Sequence, residues 1–486
     1  MTRALASLFA TTLVVGCGRA APPPMKTPAP SPAAASAPAP PREAKPAAAE
    51  PSAPAPLVFI EDDLARATEQ AKAEHKLLFV DAWAEWCHTC ASMRSYVLAA
   101  PELRRFGGSV VFAAINTDRP ENAAFVDRYA IEVWPTFFAI EPASGRLVGY
   151  WPGSGSVREM ADFLTESLDV KAALEADSLP ADSPVARLIE AKAAQASEHY
   201  RAAADAYAAV IELTRADWPR RSEALRGWVQ SLYHARDYEE CAAVGARYLN
   251  ELRGASMPAD FLSYAFGCTR ALRPAERASL RERLVARLRV IAADASPERS
   301  ADDRADAYGI LAGALDELHD RAGAAEARRQ RLAILEAAAA AAPSPETAAT
   351  FDEGRARAYL ALGRAGDAVR LLEERERALP GALEPAVRLA DVLMELERWA
   401  DARAALERAL PRAYGKRKVR ILEKRAEVEG KLGDRAARLA TLEAVVAAWR
   451  ELAHGGAPPA GLADAERELA AARRAAGLPV AKPKGR

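Results

Sequence analysis

Between Leu57 and about Val170, apolar runs alternate with segments of helical spacing. Leu77 to Trp83 is almost unbroken apolar sequence, which predicts a strand buried on both faces. Val110 to Asn116 predicts a second strand. Thr136 to Ile140 and Leu147 to Trp151 predict two more, joined across Pro142-Ala143-Ser144-Gly145, a hairpin turn signal. Helices are predicted over Asp62–Glu74 with Asp62 or Asp63 as N-cap, from the cysteine pair Cys87/Cys90 through Leu98, over Glu121–Tyr129 and over Val157–Leu168. This is an α/β pattern. It gives way at a linker, 171–184, to sequence dominated by Ala, Leu, Arg and Glu through Ala476, with no strand-like alternation. Pro219, Pro258, Pro274 and Pro385 sit where helices would begin, and the pattern predicts helix pairs in series over 185–476.

One small–large stripe recurs in that region. Trp399, Ala402, Leu406 and Ala409 share it with Tyr200, Ala203, Tyr207 and Val210, and with Tyr238, Cys241, Gly245 and Tyr248. Ala368 and Leu372 precede Ala402 and Leu406 by 34 residues. On these positions the region resembles tetratricopeptide repeats, most clearly from Arg355 to Pro411, which implies an all-α solenoid able to bind partner proteins.

The N-terminus follows a third pattern. Arg3 and the apolar stretch Ala4–Val15, too short to span a bilayer, precede Val14-Val15-Gly16-Cys17. This resembles the lipobox of bacterial lipoproteins, which implies a signal peptide over 1–16 and an acylated Cys17. Gly18 after that cysteine leans the resemblance towards the outer membrane; the implied location is the periplasmic face of the cell envelope. Residues 17–56 are nearly all Ala, Pro and Ser beyond Cys17, with too little apolar bulk to fold. At ~3 Å per residue such a spacer reaches on the order of 100 Å. The tail 477–486 is expected to be disordered.

Composition narrows the function. The 486 residues are 50% apolar and long enough for two to four domains. Lys and Arg number 66 against 67 Asp and Glu, a net charge of -1 that argues against nucleic acid as a partner. Five cysteines in so long a chain are no disulfide framework. The chemistry therefore concentrates at Trp86-Cys87-His88-Thr89-Cys90, where two thiols open a helix. The helix N-terminus stabilises thiolate, the species that attacks disulfides.

Val80-Asp81-x-Trp83-Ala84-Glu85-Trp86-Cys87-x-x-Cys90 resembles the thioredoxin family, and Val133-Trp134-Pro135-Thr136 falls where that family has its cis-proline. Within it the resemblance is to the subgroup that includes the C-terminal domain of the periplasmic thiol:disulfide interchange reductase. The resemblance implies a thioredoxin fold over 57–170, a central mixed sheet with flanking helices, ahead of the helical solenoid. It implies that Cys87 is the exposed attacking thiolate and Cys90 the buried resolving thiol. Asp81, with a pKa raised by burial, relays protons, and Pro135 presents a backbone edge to substrate. Trp86 floors the groove and Trp134 borders it; His88, if protonated, stabilises the Cys87 thiolate and makes the pair more oxidising. His88-Thr89 replaces the family's Gly-Pro, Ala91 its lysine, and Trp134 is bulkier than its norm, so the redox direction stays open. Asp81 and the subgroup point to reduction.

Zinc has no second cysteine pair at the right spacing; Cu(I) on Cys87, Cys90 and His88 is the alternative metal reading. No metal is expected, because in the resembled family the proline at Pro135 occupies the space a metal would need, and no cofactor, since no flavin or nicotinamide site is visible. The expected partners are protein thiols or disulfides, a partner protein for the repeats and, for a reductase, a membrane electron donor. Cys241 and Cys268 lie on neighbouring predicted helices, as a structural disulfide, as electron acceptors for the first domain or, more commonly for such residues, as small buried hydrophobes. His75, His199, His234, His319 and His454 form no constellation in the sequence. The competing reading is an envelope scaffold whose thioredoxin-like part is a docking module or redox sensor.

Overall fold

The computed structural model describes residues 55–129, 131–453 and 460–479. The signal segment 1–16, Cys17, all but the end of the 17–56 spacer, His454 and residues 480–486 of the tail lie outside them.

The first part is a five-stranded mixed sheet in the order β1-β3-β2-β4-β5. Its elements are β1 (Phe59–Glu61), α1 (Leu64–Ala73), β2 (Leu77–Trp83), α2 (His88–Ser92), β3 (Val110–Asn116), α3 (Ala123–Arg128), β4 (Thr136–Glu141), β5 (Arg146–Pro152) and α4 (Val157–Glu175). The unbroken apolar run of β2 follows from its place at the centre, parallel to β3 on one side and antiparallel to β4 on the other. Phe79, Phe112 and Phe137 pack ring to ring on one face of the sheet, beneath Phe163 of α4. Asp63 caps α1 by accepting from the Arg66 N–H, and Ser156 with Glu159 closes a capping box on α4. At Gly149 of β5 a Cβ would lie 2.5 Å from Ser167 Oγ and 2.8 Å from the Phe163 ring. Only glycine lets α4 sit this close.

The strands and helices fall where the apolar pattern predicts, with three differences. The edge strand β1 is only three residues long, too short to give a periodic signal. The helix begun by the cysteines passes at Met93–Val97 into a turn of π-helix. Helix α4 continues to Glu175 because Val170 and Leu174 stay in one apolar cluster with Leu179 and Val185 and Lys171 bonds Glu175 at 2.7 Å, so the linker shrinks to 176–183.

The remaining helices are α5 (Pro184–Ala196), α6 (Tyr200–Leu213), α7 (Arg221–His234), α8 (Tyr238–Tyr248), α9 (Met257–Cys268), α10 (Pro274–Ala293), α11 (Ala301–Glu317) and α12 (Arg321–Ala341). They continue with α13 (Pro345–Ala349), α14 (Asp352–Ala361), α15 (Ala365–Ala378), α16 (Glu384–Glu395), α17 (Trp399–Ala409), α18 (Gly415–Lys431), α19 (Arg435–Leu452) and α20 (Ala460–Ala475). Pro258, Pro274 and Pro385 occupy first turns, and Pro219 stands just ahead of α7.

A single turn joins six of these pairs: α5/α6, α7/α8, α11/α12, α14/α15, α16/α17 and α18/α19. Each turn has three residues with the middle one left-handed: Glu198, Arg236, His319, Gly363, Glu397 and Gly433. The next N–H reaches back five residues in every case, from His199 to Ala194, Asp237 to Leu232, Asp320 to Leu315, Arg364 to Tyr359, Arg398 to Leu393 and Asp434 to Glu429. This is a Schellman closure repeated six times. The 34-residue spacing seen in the sequence is the distance from Gly363 to Glu397; the other intervals are longer, which is why the period drifts.

The helical region is folded against the sheet unit along much of its length. Tyr200 of α6 donates to Glu132 at 2.5 Å, and Arg220 before α7 pairs with Glu166 of α4 at 2.7 Å. Ser154, after β5, donates to Asp303 of α11 at 2.5 Å. Gly415, at the start of α18, comes so near that a Cβ would collide with the Asp118 carbonyl.

Cys241 and Cys268 form a disulfide between α8 and α9. The commoner expectation, two small buried hydrophobes, is corrected: both are fully buried, but the packing of α8 on α9 leaves their Cα atoms 5.9 Å apart, within bonding reach.

Candidate functional site

Strand β2 delivers Asp81 to the centre of the sheet and then releases the chain into the turn that carries the cysteines. Cys87 is the N-cap of α2, with its sulfur accepting from the Cys90 N–H at 2.9 Å. The two sulfurs are bonded to each other. Cys90 lies one turn inward and is 1% exposed.

Cys87 departs from expectation. It is 5% exposed, buried rather than open, because three tryptophans close over it: Trp83, Trp86 and Trp134. The rings of Trp86 and Trp134 are 5.1 Å apart. Their indole N–H groups are tied down, Trp86 donating to Asp118 at 2.8 Å and Trp134 to Thr117 Oγ1 at 2.9 Å. Pro135 is buried, follows a cis peptide bond, and its carbonyl accepts from Gly153 at 2.7 Å.

Asp81 is 1% exposed, and one of its carboxylate oxygens has no hydrogen-bond partner among the described residues. Burial pushes its pKa up to about 7, against the pull of Arg94, whose Nε lies 3.2 Å from the other oxygen. Arg94 also pairs with Glu61 at 3.0 Å and stacks 4.1 Å from the Trp83 ring. A carboxyl poised near neutrality can take or give a proton at physiological pH.

The helical region supplies the rest of the site. His88 Nδ1 lies 3.0 Å from Asp302 Oδ1 of α11. Arg388 of α16 donates to the Trp86 carbonyl at 3.2 Å. Tyr414 donates to Glu85 at 2.6 Å while accepting from Asn116 at 2.7 Å. Between these contacts is a cavity of about 570 Å³, bordered by Trp83, His88 and Ala91 on one side and by Leu383, Arg388 and Tyr414 on the other.

Burial alone would lower the His88 pKa, but Asp302 and then Asp306 outweigh it and raise it to about 10. Asp306 is pushed up to about 7 by burial, with His88 opposing. The donor atoms of His88, Asp302 and Asp306 lie within 4.8 Å of one another. The imidazole already bonds Asp302 and the Arg331 guanidinium already faces Asp306 at 3.4 Å, so we read the cluster as an ion-pair network.

The structure thus gathers Cys87, Cys90, Trp86, His88 and Trp134 at one place, with Asp81 on the strand leading into it and Pro135 beside Trp134. Sequence reasoning missed Arg94, Thr117, Asp118, Asp302, Asp306, Arg388 and Tyr414. Arg94 alone had a local signal, four residues after Cys90 on the same helical face. His234, one of the histidines without a constellation in the sequence, stacks on Tyr200 and faces Glu132 at 3.3 Å.

Residues 60–142 match a family model described as thioredoxin-like. No curated protein matches the chain. Among solved structures it is similar to a tetratricopeptide repeat protein from Parabacteroides merdae, at 10% identity and TM-score 0.35, over 53% of this chain and 90% of that one. A thermophilic tetratricopeptide protein from Thermus thermophilus matches at 18% identity and TM-score 0.28, over 44% and 100% of the two chains. PilF from Pseudomonas aeruginosa matches at 13% identity and TM-score 0.27, over 51% and 97%. A thioredoxin-like domain with a Cys-x-x-Cys pair is thus followed by a run of paired helices.

Proposed function

We propose that this chain is a thiol:disulfide oxidoreductase, working as a reductase, held to the periplasmic face of the bacterial envelope by acylated Cys17. The observation that carries the reading is a bondable cysteine pair at the start of α2 combined with a buried carboxyl poised near neutrality on the strand that feeds it.

In the reducing direction the Cys87 thiolate attacks a substrate disulfide. One S–S bond forms between Cys87 and the substrate, and one substrate sulfur leaves and takes a proton. Cys90, giving its proton to Asp81, then attacks the Cys87 sulfur and expels the second substrate thiolate. Substrate gains two electrons and Cys87–Cys90 becomes the disulfide. A membrane-bound dithiol donor of the same chemical class returns it to the dithiol. Trp86 and Trp134 wall the approach to Cys87, His88 stands at its mouth, and Pro135 holds the opposite edge. The repeats hold partner proteins, and no cofactor is needed.

The test is the reduction potential of the pair in the full-length chain, followed by tryptophan fluorescence against a thiol buffer. A value near roughly -270 mV supports a reductase and one near roughly -120 mV an oxidant. Absence of a reversible two-electron transition defeats the enzyme reading.

One observation favours a second reading. Cys87 is covered and the repeats bond to residues on both sides of it, as a docking module or redox sensor within a scaffold would allow. Replacing Cys87 and Cys90 together by Ser abolishes function in an oxidoreductase or a redox sensor and spares it in a docking module.

A further inference from the structure

His88 sets a puzzle for a reductase. A cation inside the Cys-x-x-Cys motif stabilises the Cys87 thiolate, hence the reduced pair, and makes it an oxidant. The structure does not leave that cation alone. Asp302 of α11 is 4% exposed on its side chain, and His88 is its one side-chain hydrogen-bond partner among the described residues. Asp306 follows four residues later on the same face of α11, with its oxygen within 4.8 Å of both. Glu353 of α14 adds negative charge at longer range, and the cation set against them is Arg331 of α12, 3.4 Å from Asp306. Thr89 contributes only a hydroxyl, 3.4 Å from the ring.

We propose that α11 tunes the thiol pair: Asp302 and Asp306 neutralise the His88 imidazolium and make Cys87–Cys90 a stronger reductant than the Cys-His-Thr-Cys motif is by itself. The inference rests on the oxidoreductase reading and deepens it. Asp302 cancels the imidazolium charge, and Asp306, with a pKa raised to about 7 and so partly ionised at pH 6.5, adds to it against Arg331. A thiolate forming at Cys87 then lacks the field that an unpaired imidazolium would give it, so the reduced pair is less stable and gives up its electrons more readily. Asp302 and Asp306 act through His88 and are positioning residues. They lie more than 200 residues beyond the cysteines, in the repeat region. Docking of the repeats is therefore part of what fixes the direction of electron flow.

The test uses the full-length chain with Asp302→Asn, Asp306→Asn and both together, each close in shape to the original. At pH 6.5 the equilibrium with glutathione shifts towards the reduced pair by roughly three- to tenfold for Asp302→Asn and further for the double variant. His88→Gln moves it the other way. The His88 imidazole signal in NMR titrates above pH 9 in the wild type and between about pH 6 and 8 in Asp302→Asn. If Asp302→Asn does not fold, Asp306→Asn, on the more open side chain, carries the same sign with a smaller shift. An unchanged or lowered potential in the folded Asp302→Asn and Asp306→Asn variants overturns the inference, as does a wild-type His88 that titrates at its ordinary value. Absence of any two-electron transition in the wild type counts instead against the oxidoreductase reading, and the NMR titration still decides whether α11 holds the imidazolium.

Discussion

Replacing Asp81 by Asn measures what burying this carboxyl costs the fold. Its pKa rises from 3.8 to about 7, chiefly by burial and despite Arg94. A carboxyl whose folded pKa lies above its unfolded value holds its proton more tightly when folded. Its contribution is fully present below pH 3.8 and is lost as pH rises through 7. A rise of about three units corresponds to about 4 kcal/mol in all, of which about 2.7 kcal/mol disappears between pH 5 and 9. Asn has nearly the same shape and no proton to lose. In urea unfolding of the oxidised full-length chain, followed by tryptophan fluorescence, the wild type is therefore expected to fall relative to Asp81→Asn by about 2–3 kcal/mol from pH 5 to 9. His88 titrates in the same window with its own sign. Its raised pKa gives stability present below 6.5 and lost as pH rises through about 10. That loss is common to both proteins and cancels in the comparison. A stability difference that stays flat within about 0.5 kcal/mol over this range would mean the carboxyl is ionised at both ends, and the proton-relay role would fall with it.

Other perturbations test the remaining parts. Gly415→Ala forces a Cβ against the Asp118 backbone and should lift α18 from the site; the expected result is several-fold faster alkylation of reduced Cys87 by iodoacetamide, and an unchanged rate speaks against the cover. Tyr414→Phe removes the bridge between Glu85 and Asn116 and should do the same more weakly, with a loss of about 1 kcal/mol in thermal unfolding. Opening Cys241–Cys268, 27 residues apart in sequence, by Ser substitution should cost about 3–4 kcal/mol while leaving the potential of the Cys87–Cys90 pair in place. Lys192 is 2% exposed and paired with Glu223, and burial lowers its pKa to about 8. Glu223→Gln should cost about 3–5 kcal/mol, with the penalty growing as pH falls through 8; a pH-independent loss contradicts the pairing.

The legible parts of this protein are those specified by neighbours in sequence. β2 could be read because a central strand needs apolar side chains on both faces, and its one charge, Asp81, stood out for that reason. The cysteine pair, its helix and the proline segment lie within 55 residues and form one local unit. The pairs of repeat helices showed themselves through small–large stripes. Their shared turn did not, because four of its six left-handed positions are held by Glu, Arg or His rather than glycine.

What the sequence concealed is long-range. Asp302, Arg388 and Tyr414 reach the cysteine turn from 214, 302 and 329 residues away, on or just before helices whose own pattern only says which face is buried. A free solenoid surface for partners was the natural expectation for such helices. Instead α6, α11, α16 and the start of α18 all spend part of that surface on the thioredoxin-like unit. Under the oxidoreductase reading, a substrate protein has two routes, to enter the cavity beside His88 or to displace the helices that border it. The second route would take Asp302 and Asp306 away from His88, and on the proposed tuning the potential of the pair would change as it meets its substrate.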